Sequence, residues 1–138
     1  MARRNSLQAR IEARITQRSD GVFLTREFAD LGGERQVLRA LSKIVAAGGV
    51  LVRLGYGVYG RAFTSTLSGK PLLYNRDGFI GAAREALTKL GVAWEATAAE
   101  RAYNEGRSTQ IPVNPRVRIK GRFSRKLRDG RTELVLER

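Results

Sequence analysis

Apolar residues recur at helical spacing in two stretches near the start of the chain. From Ser6 to Arg18 they lie four positions apart, at Leu7, Ile11 and Ile15, and the serine before them can act as an N-cap. A second stripe lies between the pairs Gly32-Gly33 and Gly48-Gly49 and consists of Val37, Leu38, Leu41, Ile44 and Val45. Residues three or four apart share one face of a helix, so the pattern predicts two amphipathic helices that each bury one face.

A short strand, a further helix and a hairpin complete the N-terminal pattern. Val22–Leu24 is predicted as a strand, and a helix is predicted from Thr25 through Leu31. Two runs rich in β-branched residues flank Gly55-Tyr56-Gly57 and predict a β-hairpin. The order helix, strand, helix, glycine turn, helix, hairpin is that of the winged helix-turn-helix, which we expect in residues 1–62.

The polar side of the third predicted helix suits the major groove of DNA. In a winged helix this helix enters the groove, where arginine and glutamine can each form two hydrogen bonds with one base. The residues expected to contact bases are Arg35, Gln36, Arg39, Ser42 and Lys43. At the hairpin, or wing, the expected DNA contacts are Arg53, Tyr56 and Arg61. The alternative interpretation is that these polar residues only keep a surface helix in water.

The second half of the chain predicts a small α+β domain. Residues 63–76 are rich in Thr, Ser, Gly and Pro, which is typical of a linker. A helix is expected to start at Asp77, with the apolar stripe Phe79, Ile80, Ala83, Leu87 and Leu90. A short strand and a short helix follow. From Arg116 onwards, alternating residues and a turn at Asp129-Gly130 predict two or three antiparallel strands. The predicted fold class is therefore α+β, with a winged helix followed by a domain at 77–138.

Positive charge is high and uneven along the chain. There are 26 Lys and Arg against 13 Asp and Glu, a formal net charge of +13, and residues 107–138 carry ten basic and three acidic residues. This excess indicates a polyanionic partner, and double-stranded DNA is the first candidate. The C-terminal cations expected to contact the DNA backbone are Arg116, Arg118, Lys120, Arg122, Arg125, Lys126 and Arg128, with Arg131 beside them. Their alternative role is to form the solvated side of an antiparallel sheet. The same alternative, phosphate or solvent, applies in the first helix to Arg10, Arg14 and Arg18.

The composition excludes several kinds of chemistry. The chain has no cysteine and no histidine, so disulfides, Cys-containing zinc modules and catalytic triads with an imidazole base cannot form. Its glutamates lack the spacing of metal ligands. We therefore expect no enzymatic activity, no metal and no cofactor. No apolar run approaches the roughly 20 residues of a membrane span. We expect no membrane partner and a cytoplasmic protein of a prokaryote or of a mobile element that it carries.

The run VFLTREFADLGGERQVLRALSKIVAAGGVLVRLGYGVY in the N-terminal half is similar to a pattern that starts "VF...DF.DLG" and ends "V..AL..L...G...RL..G.Y". With this pattern the run resembles the winged helix of the AbiEi-like antitoxins of type IV toxin-antitoxin systems. The matching positions are Val22, Phe23, Phe28, Asp30, Leu31, Gly32, Val37, Ala40, Leu41, Gly48, Arg53, Leu54, Gly57 and Tyr59. The segment Ser108-Thr109-Gln110-Ile111-Pro112 is similar to the "STQVP" motif of short, stand-alone relatives. The resemblance implies recognition of inverted repeats near the protein's own promoter and repression of transcription.

These observations lead to one expected function and two alternatives. The expected function is a sequence-specific transcriptional regulator, a repressor that binds double-stranded DNA at inverted repeats as a homodimer. The first alternative is an antitoxin-like interaction module that neutralises a nucleotidyltransferase toxin, which the resemblance implies as a partner. The second is a mobile-element protein that binds nucleic acid without sequence preference.

Overall fold

The computed structural model describes residues 6–106 and 115–138 and has a mixed α+β fold. The helices are α1 (Leu7–Gln17), α2 (Glu34–Ala47), α3 (Gly78–Lys89) and α4 (Ala98–Asn104), with a 3₁₀ helix at Thr25–Phe28. The strands are β1 (Val22–Leu24), β2 (Leu51–Gly55), β3 (Val58–Thr64), β4 (Pro71–Leu73), β5 (Trp94–Glu95), β6 (Arg116–Ile119), β7 (Arg128–Asp129), β8 (Thr132–Glu133) and β9 (Val135–Glu137). Within the described residues, no helix is long and apolar enough to cross a membrane. The predicted α+β class is confirmed.

Helices α1 and α2 form where the apolar periodicity predicts them. The side-chain oxygen of Ser6 caps α1 by accepting a hydrogen bond from the amide of Ala9 at 3.1 Å. Helix α2 ends at Gly48, whose φ of 80° favours glycine. The apolar faces of both helices pack with Phe23 and Phe28 in one buried cluster. This packing directs the opposite face of α2 outward.

The helix predicted from Thr25 through Leu31 is shorter than expected. Only Thr25–Phe28 is helical, as a single 3₁₀ segment, and the chain then turns towards α2. The amides of residues 29 and 31 donate to carbonyls three residues earlier, at 3.2 and 3.0 Å. Because this pattern is that of a 3₁₀ helix and Gly32-Gly33 follows at once, the segment ends before an α-helix is established.

The predicted hairpin is confirmed as the antiparallel pair of β2 and β3, with its tip at Gly55 to Gly57. Strand β1 pairs with β3 as well, so β3 lies between β1 and β2. Beyond Arg61, β3 pairs with β4. Strand β4 lies inside residues 63–76, and the segment predicted as a linker therefore contains part of a second antiparallel hairpin.

Strand β6 is the central strand of a small C-terminal sheet, between β5 and β9. It pairs antiparallel with β5 but parallel with β9, so the prediction of a wholly antiparallel sheet is wrong. Parallel pairing requires the chain to cross back to the start of the first strand. Residues 120–134 make this crossover, and Leu127 and Leu134 anchor it in the core. The hairpin predicted at Asp129-Gly130 lies within it, as β7 and β8.

One apolar cluster joins the two halves of the chain. The inner faces of β1 and β2 pack there with α3, with β6 and with the crossover. Helix α3 contributes Ala82, Ala83, Ala86 and Leu87, and its small alanines permit close contact with β1. The division into a domain at 1–62 and a domain at 77–138 stays a prediction, and these two parts share one core.

Candidate nucleic-acid interface

The outward face of α2 carries all five residues expected to read bases. Arg35, Gln36, Arg39, Ser42 and Lys43 are exposed, and Val37, Ala40, Leu41 and Ile44 hold the other face in the core. In the part of the chain that the structure describes, no carboxylate forms an ion pair with the cations of this face. Helix α2 thus presents unneutralised positive charge on a rigid element.

Gln36 also has a structural role at the start of α2. Its side-chain oxygen accepts a hydrogen bond from the amide of Gly33 at 3.3 Å, which satisfies one donor at the helix N-terminus. Because the side-chain oxygen of Gln36 is bonded within the protein, only its side-chain nitrogen would be available to bond to a DNA base. Arg39, one turn further along, has no such bond among the described contacts.

The tip of the β2–β3 hairpin is an exposed aromatic residue between two glycines. Tyr56 is 68% exposed. Gly57 has a φ of 68°, which favours glycine, and its carbonyl accepts a hydrogen bond from the amide of Thr25 at 3.0 Å. Arg53 points along the same tip, and its Nε donates to the carbonyl of Gly55 at 3.3 Å. The hairpin tip is thereby fixed to the 3₁₀ helix.

The C-terminal cations predicted separately from the hairpin meet it in the structure. The guanidinium of Arg125 donates to the carbonyl of Tyr56 and lies 5.9 Å from the centre of its ring. The two segments can approach this closely because residue 55 is glycine, since a Cβ there would lie only 2.6 Å from the carbonyl oxygen of Lys126. Together these segments form a cleft of about 410 Å³, here called the basic cleft, lined by Arg53, Leu54, Gly55, Tyr56, Arg125, Lys126 and Arg128. Four of its seven lining residues are cations and none is acidic.

A second recess connects the basic cleft to α2. Tyr56 and Arg125 line both recesses. The second recess is also lined by Glu34 and Leu38 of α2 and by Arg26. Arg26 was not expected from the sequence at this place, where its guanidinium donates to the carbonyl of Lys89. The start of α2, the hairpin tip and the C-terminal segment are therefore neighbours on one side of the molecule.

Arg61, which was expected to contact DNA from the hairpin, lies away from the hairpin tip and the basic cleft. Its guanidinium donates to the carbonyls of Ile15, Arg18 and Asp20 at 3.0, 2.7 and 3.0 Å, around the C-terminal end of α1. It also stacks on the ring of Phe23 at 5.3 Å. Because its donors are used by backbone acceptors, Arg61 fastens β3 to α1, and we leave it out of the proposed interface.

The predicted C-terminal cations fall into three groups that the sequence did not distinguish. Arg125, Lys126 and Arg128 belong to the basic cleft. Those on β6 lie on the C-terminal sheet instead, where Arg116 pairs with Glu137 at 3.3 Å and Arg118 with Glu95 at 3.7 Å. The remaining three are exposed and form no ion pair with a described carboxylate: Lys120, Arg122 and Arg131.

The arginines on and just after α1 form hydrogen bonds within the chain. Arg14 forms two bonds with the carboxylate of Asp30, at 2.6 and 2.7 Å, and Arg18 forms two with Asp20, both at 2.9 Å. Arg10 donates to a backbone carbonyl at 3.1 Å. The bond from Arg14 holds the pKa of Asp30 at about 2, below its usual range. Arg10 and Arg14 connect α1 to the loop after the 3₁₀ helix, whereas Arg18, the C-cap of α1, bonds within the loop before β1.

We expect Asp30→Asn to lower the free energy of unfolding at neutral pH, because Arg14 loses its charged partner. A folded pKa of about 2 against an unfolded value of about 4 means that the ion pair stabilises fully above pH 4 and loses its effect as the pH falls towards 2. Urea unfolding followed by circular dichroism should therefore separate wild type from variant at pH 7 and bring them together near pH 2. An equal difference at both pH values would contradict this role.

A polar network behind the interface was not visible in the sequence. Lys89 Nζ lies 2.7 Å from an oxygen of Asp20 and 2.9 Å from both carboxylate oxygens of Glu27. Hydrogen bonds from Arg18 and Lys89 hold the pKa of Asp20 well below its usual range. Glu85 accepts from two backbone amides at the start of β1. The network fastens α3 to β1, and its only sequence signal is a Glu and a Lys four residues apart, which is common on solvated helices.

Comparison of the chain with protein-family models, curated proteins and solved structures finds no match. The resemblance to AbiEi-like antitoxins therefore stays a prediction from the sequence. The STQIP segment, Ser108 to Pro112, lies outside the described residues.

Proposed function

We propose that the protein is a sequence-specific transcriptional regulator that binds double-stranded DNA through a winged helix-turn-helix. In this proposal α2 is the recognition helix and the β2–β3 hairpin is the wing. The observation that supports it most is that two cationic surfaces are neighbours and that none of their cations forms an ion pair with a described carboxylate. One is the outward face of α2, and the other is the basic cleft at the hairpin tip, next to the start of that helix.

The two surfaces suit different parts of the DNA. Arg35 and Arg39 project from a rigid helix away from its buried face, as side chains that read base edges do. In the basic cleft, Arg53 and Arg128 each donate through Nε to a backbone carbonyl two residues further along, at 3.3 and 3.1 Å. These guanidiniums are thus oriented before DNA arrives, which lowers the entropy lost on binding phosphate. We assign base reading to α2 and backbone contact to the cleft.

The proposal includes a homodimer on an inverted repeat. One recognition helix of this size contacts few bases, and a dimer doubles the contacts when its symmetry matches that of the site. Binding at such a site near a promoter would exclude polymerase, so we propose repression as the outcome.

Selection of bound duplexes from a random library tests the proposed function directly. We expect rounds of selection to enrich one short sequence, present as an inverted repeat, and we refer to that sequence as the operator. Binding without enrichment would favour the non-specific alternative. A protein that retains its fold but binds no duplex at physiological salt would leave the toxin-neutralising alternative.

We expect the double substitution Arg125→Ala with Arg128→Ala to weaken binding to operator and random duplex alike. Each phosphate contact contributes roughly −0.9 to the slope of log K against log salt concentration, so losing two contacts should reduce the slope by roughly 1.8. Fluorescence anisotropy titrations at several salt concentrations measure both quantities.

The control for this experiment is Arg76→Ala with Arg101→Ala. These arginines are exposed, and the change in net charge is the same, but they line neither recess beside the hairpin tip. An equal loss of slope in both double variants would mean that overall charge, and not the basic cleft, determines the salt dependence.

A further inference from the structure

An apolar face lies on the β3–β4 hairpin, at the opposite end of β3 from the wing tip. Phe63 and Leu72 are opposite each other in the antiparallel pair, and Tyr74 follows on the same side. The ring of Tyr74 meets that of Phe63 edge to face, with centroids 6.0 Å apart. The three side chains are 42%, 45% and 60% exposed. Phe63, Leu72 and Tyr74 are here called the apolar patch.

The opposite side of this hairpin is already used by the core. Ala62 is buried, and Leu73 packs against the cluster shared by both halves of the chain. Leu73 packs directly over Gly60, where a Cβ would lie only 2.5 Å from its side chain. Turning the outer residues of the hairpin inward would remove Leu73 from this contact and from the core. The apolar patch is thus held outward by the packing of the residues between its members.

The charges near the patch favour a particular occupant. In a chain of net charge +13, residues 62–75 contain one charged residue, Lys70. An acidic protein or nucleic acid would gain most from the cationic surfaces elsewhere. A second copy of this chain would be repelled by those surfaces and could approach with less repulsion at the β3–β4 hairpin, where Lys70 is the one charged residue between Arg61 and the exposed Arg76.

The size of the patch sets the strength of such a contact. Aromatic side chains offer about 150–250 Å² each, so at these exposures the three residues leave roughly 300 Å² per copy. Stable protein interfaces bury about 800 Å² on each partner. The patch is therefore too small for a permanent dimer and suits a weak one that forms at high local concentration, as on two adjacent DNA half-sites.

We infer that the apolar patch is the contact through which two copies of this chain associate. The contact is isologous, with Phe63, Leu72 and Tyr74 of one copy against the same residues of the other about a two-fold axis. It deepens the homodimer of the proposed function, on which it rests. Its test uses no DNA, so that failure of the contact and failure of DNA binding can be told apart.

Sedimentation equilibrium of the full chain tests the contact, over a range of concentrations around about 0.1 mM. We expect weak dimerisation that strengthens when salt is raised, because salt screens the repulsion between two cationic chains but not the apolar contact. This dependence is the reverse of that expected for DNA binding. Tyr74→Ser should weaken association at least tenfold. Tyr103→Ser, the same change at a half-exposed tyrosine on α4, should leave it unchanged. Leu72→Ser gives a second, smaller truncation of the patch.

Three results would overturn the inference. The first is a monomer at every concentration and salt. The second is association that weakens with salt, since this would indicate a contact between charged surfaces. The third is a fall in melting temperature for Tyr74→Ser and Leu72→Ser with association unchanged, which would mean that a segment of the same chain covers the patch.

Discussion

We expect Arg39→Ala to lower affinity for the operator by about 10- to 100-fold while affinity for a random duplex falls only slightly. A bidentate contact between arginine and guanine discriminates by about 1–3 kcal/mol, and this is lost when the guanidinium is removed. Arg39 is exposed in the middle of α2, so removing its side chain beyond Cβ leaves the buried face of the helix intact. Alanine also favours the helix, so the fold should be unaffected. Competition titrations with operator and scrambled duplexes measure the ratio.

Arg101→Ala is the matched control for this substitution, because Arg101 is an exposed arginine on a different helix, α4. It removes the same charge and should leave the ratio of operator to random affinity unchanged. Gln36→Ala is a less clean test, because it also removes the acceptor for the amide of Gly33. If Arg39→Ala leaves the ratio unaltered, α2 does not read sequence and the proposed recognition helix is wrong.

We expect Leu87→Ala to destabilise the whole protein by about 2–5 kcal/mol. Leu87 is fully buried on α3, in the cluster that also contains Leu54 of β2 and Ile119 of the C-terminal sheet. Truncating a buried leucine removes apolar contacts and leaves a cavity that a packed core fills only in part. Because both halves share this cluster, the loss should lower the stability of both together.

Two probes of chemical unfolding distinguish the halves. The fluorescence of Trp94, the single tryptophan, follows the C-terminal half, and far-ultraviolet circular dichroism follows the helices of both halves. We expect the two curves to coincide in wild type and to shift together in Leu87→Ala. Leu67→Ala is the control, because Leu67 is 99% exposed and its truncation should cost less than about 0.5 kcal/mol. Separate transitions, with the fluorescence curve shifted as a whole and the circular dichroism curve shifted only in part, would instead support two independent domains.

Local patterns were sufficient for the elements that local interactions determine. The four-residue spacing at Leu7, Ile11 and Ile15 and the stripe of α2 gave both helices, and glycines around Tyr56 gave the hairpin tip. The apolar spacing wrongly extended the helix to residues 29–31. Phe28 is buried in the 3₁₀ segment, as it would be in the predicted helix. Apolar spacing alone cannot choose between them, because hydrogen bonds to the third or the fourth preceding residue differ little over one turn.

Contacts between distant segments could not be predicted. The alternation in β6 and β9 is the same whether the strands pair parallel or antiparallel, and the direction depends on the crossover between them. Arg61 lies on β3 of the hairpin, yet its side chain reaches the end of α1. The bond between Arg125 and Tyr56 spans 69 residues, and nothing in either segment indicates the other. The sequence therefore indicated most residues of the candidate interface one by one, but it missed Arg26, wrongly included Arg61 and did not show how the residues are grouped.

The same distance along the chain has a consequence during synthesis. The ribosome adds about 5–20 residues per second, so the 69 residues from Tyr56 to Arg125 take roughly 3–14 seconds. Throughout that interval a growing chain holds a complete α2 but lacks the cations that complete the cleft beside it. If the protein binds DNA as proposed, an unfinished copy would hold DNA weakly and leave the site open to finished ones. Full affinity would be acquired only late in translation.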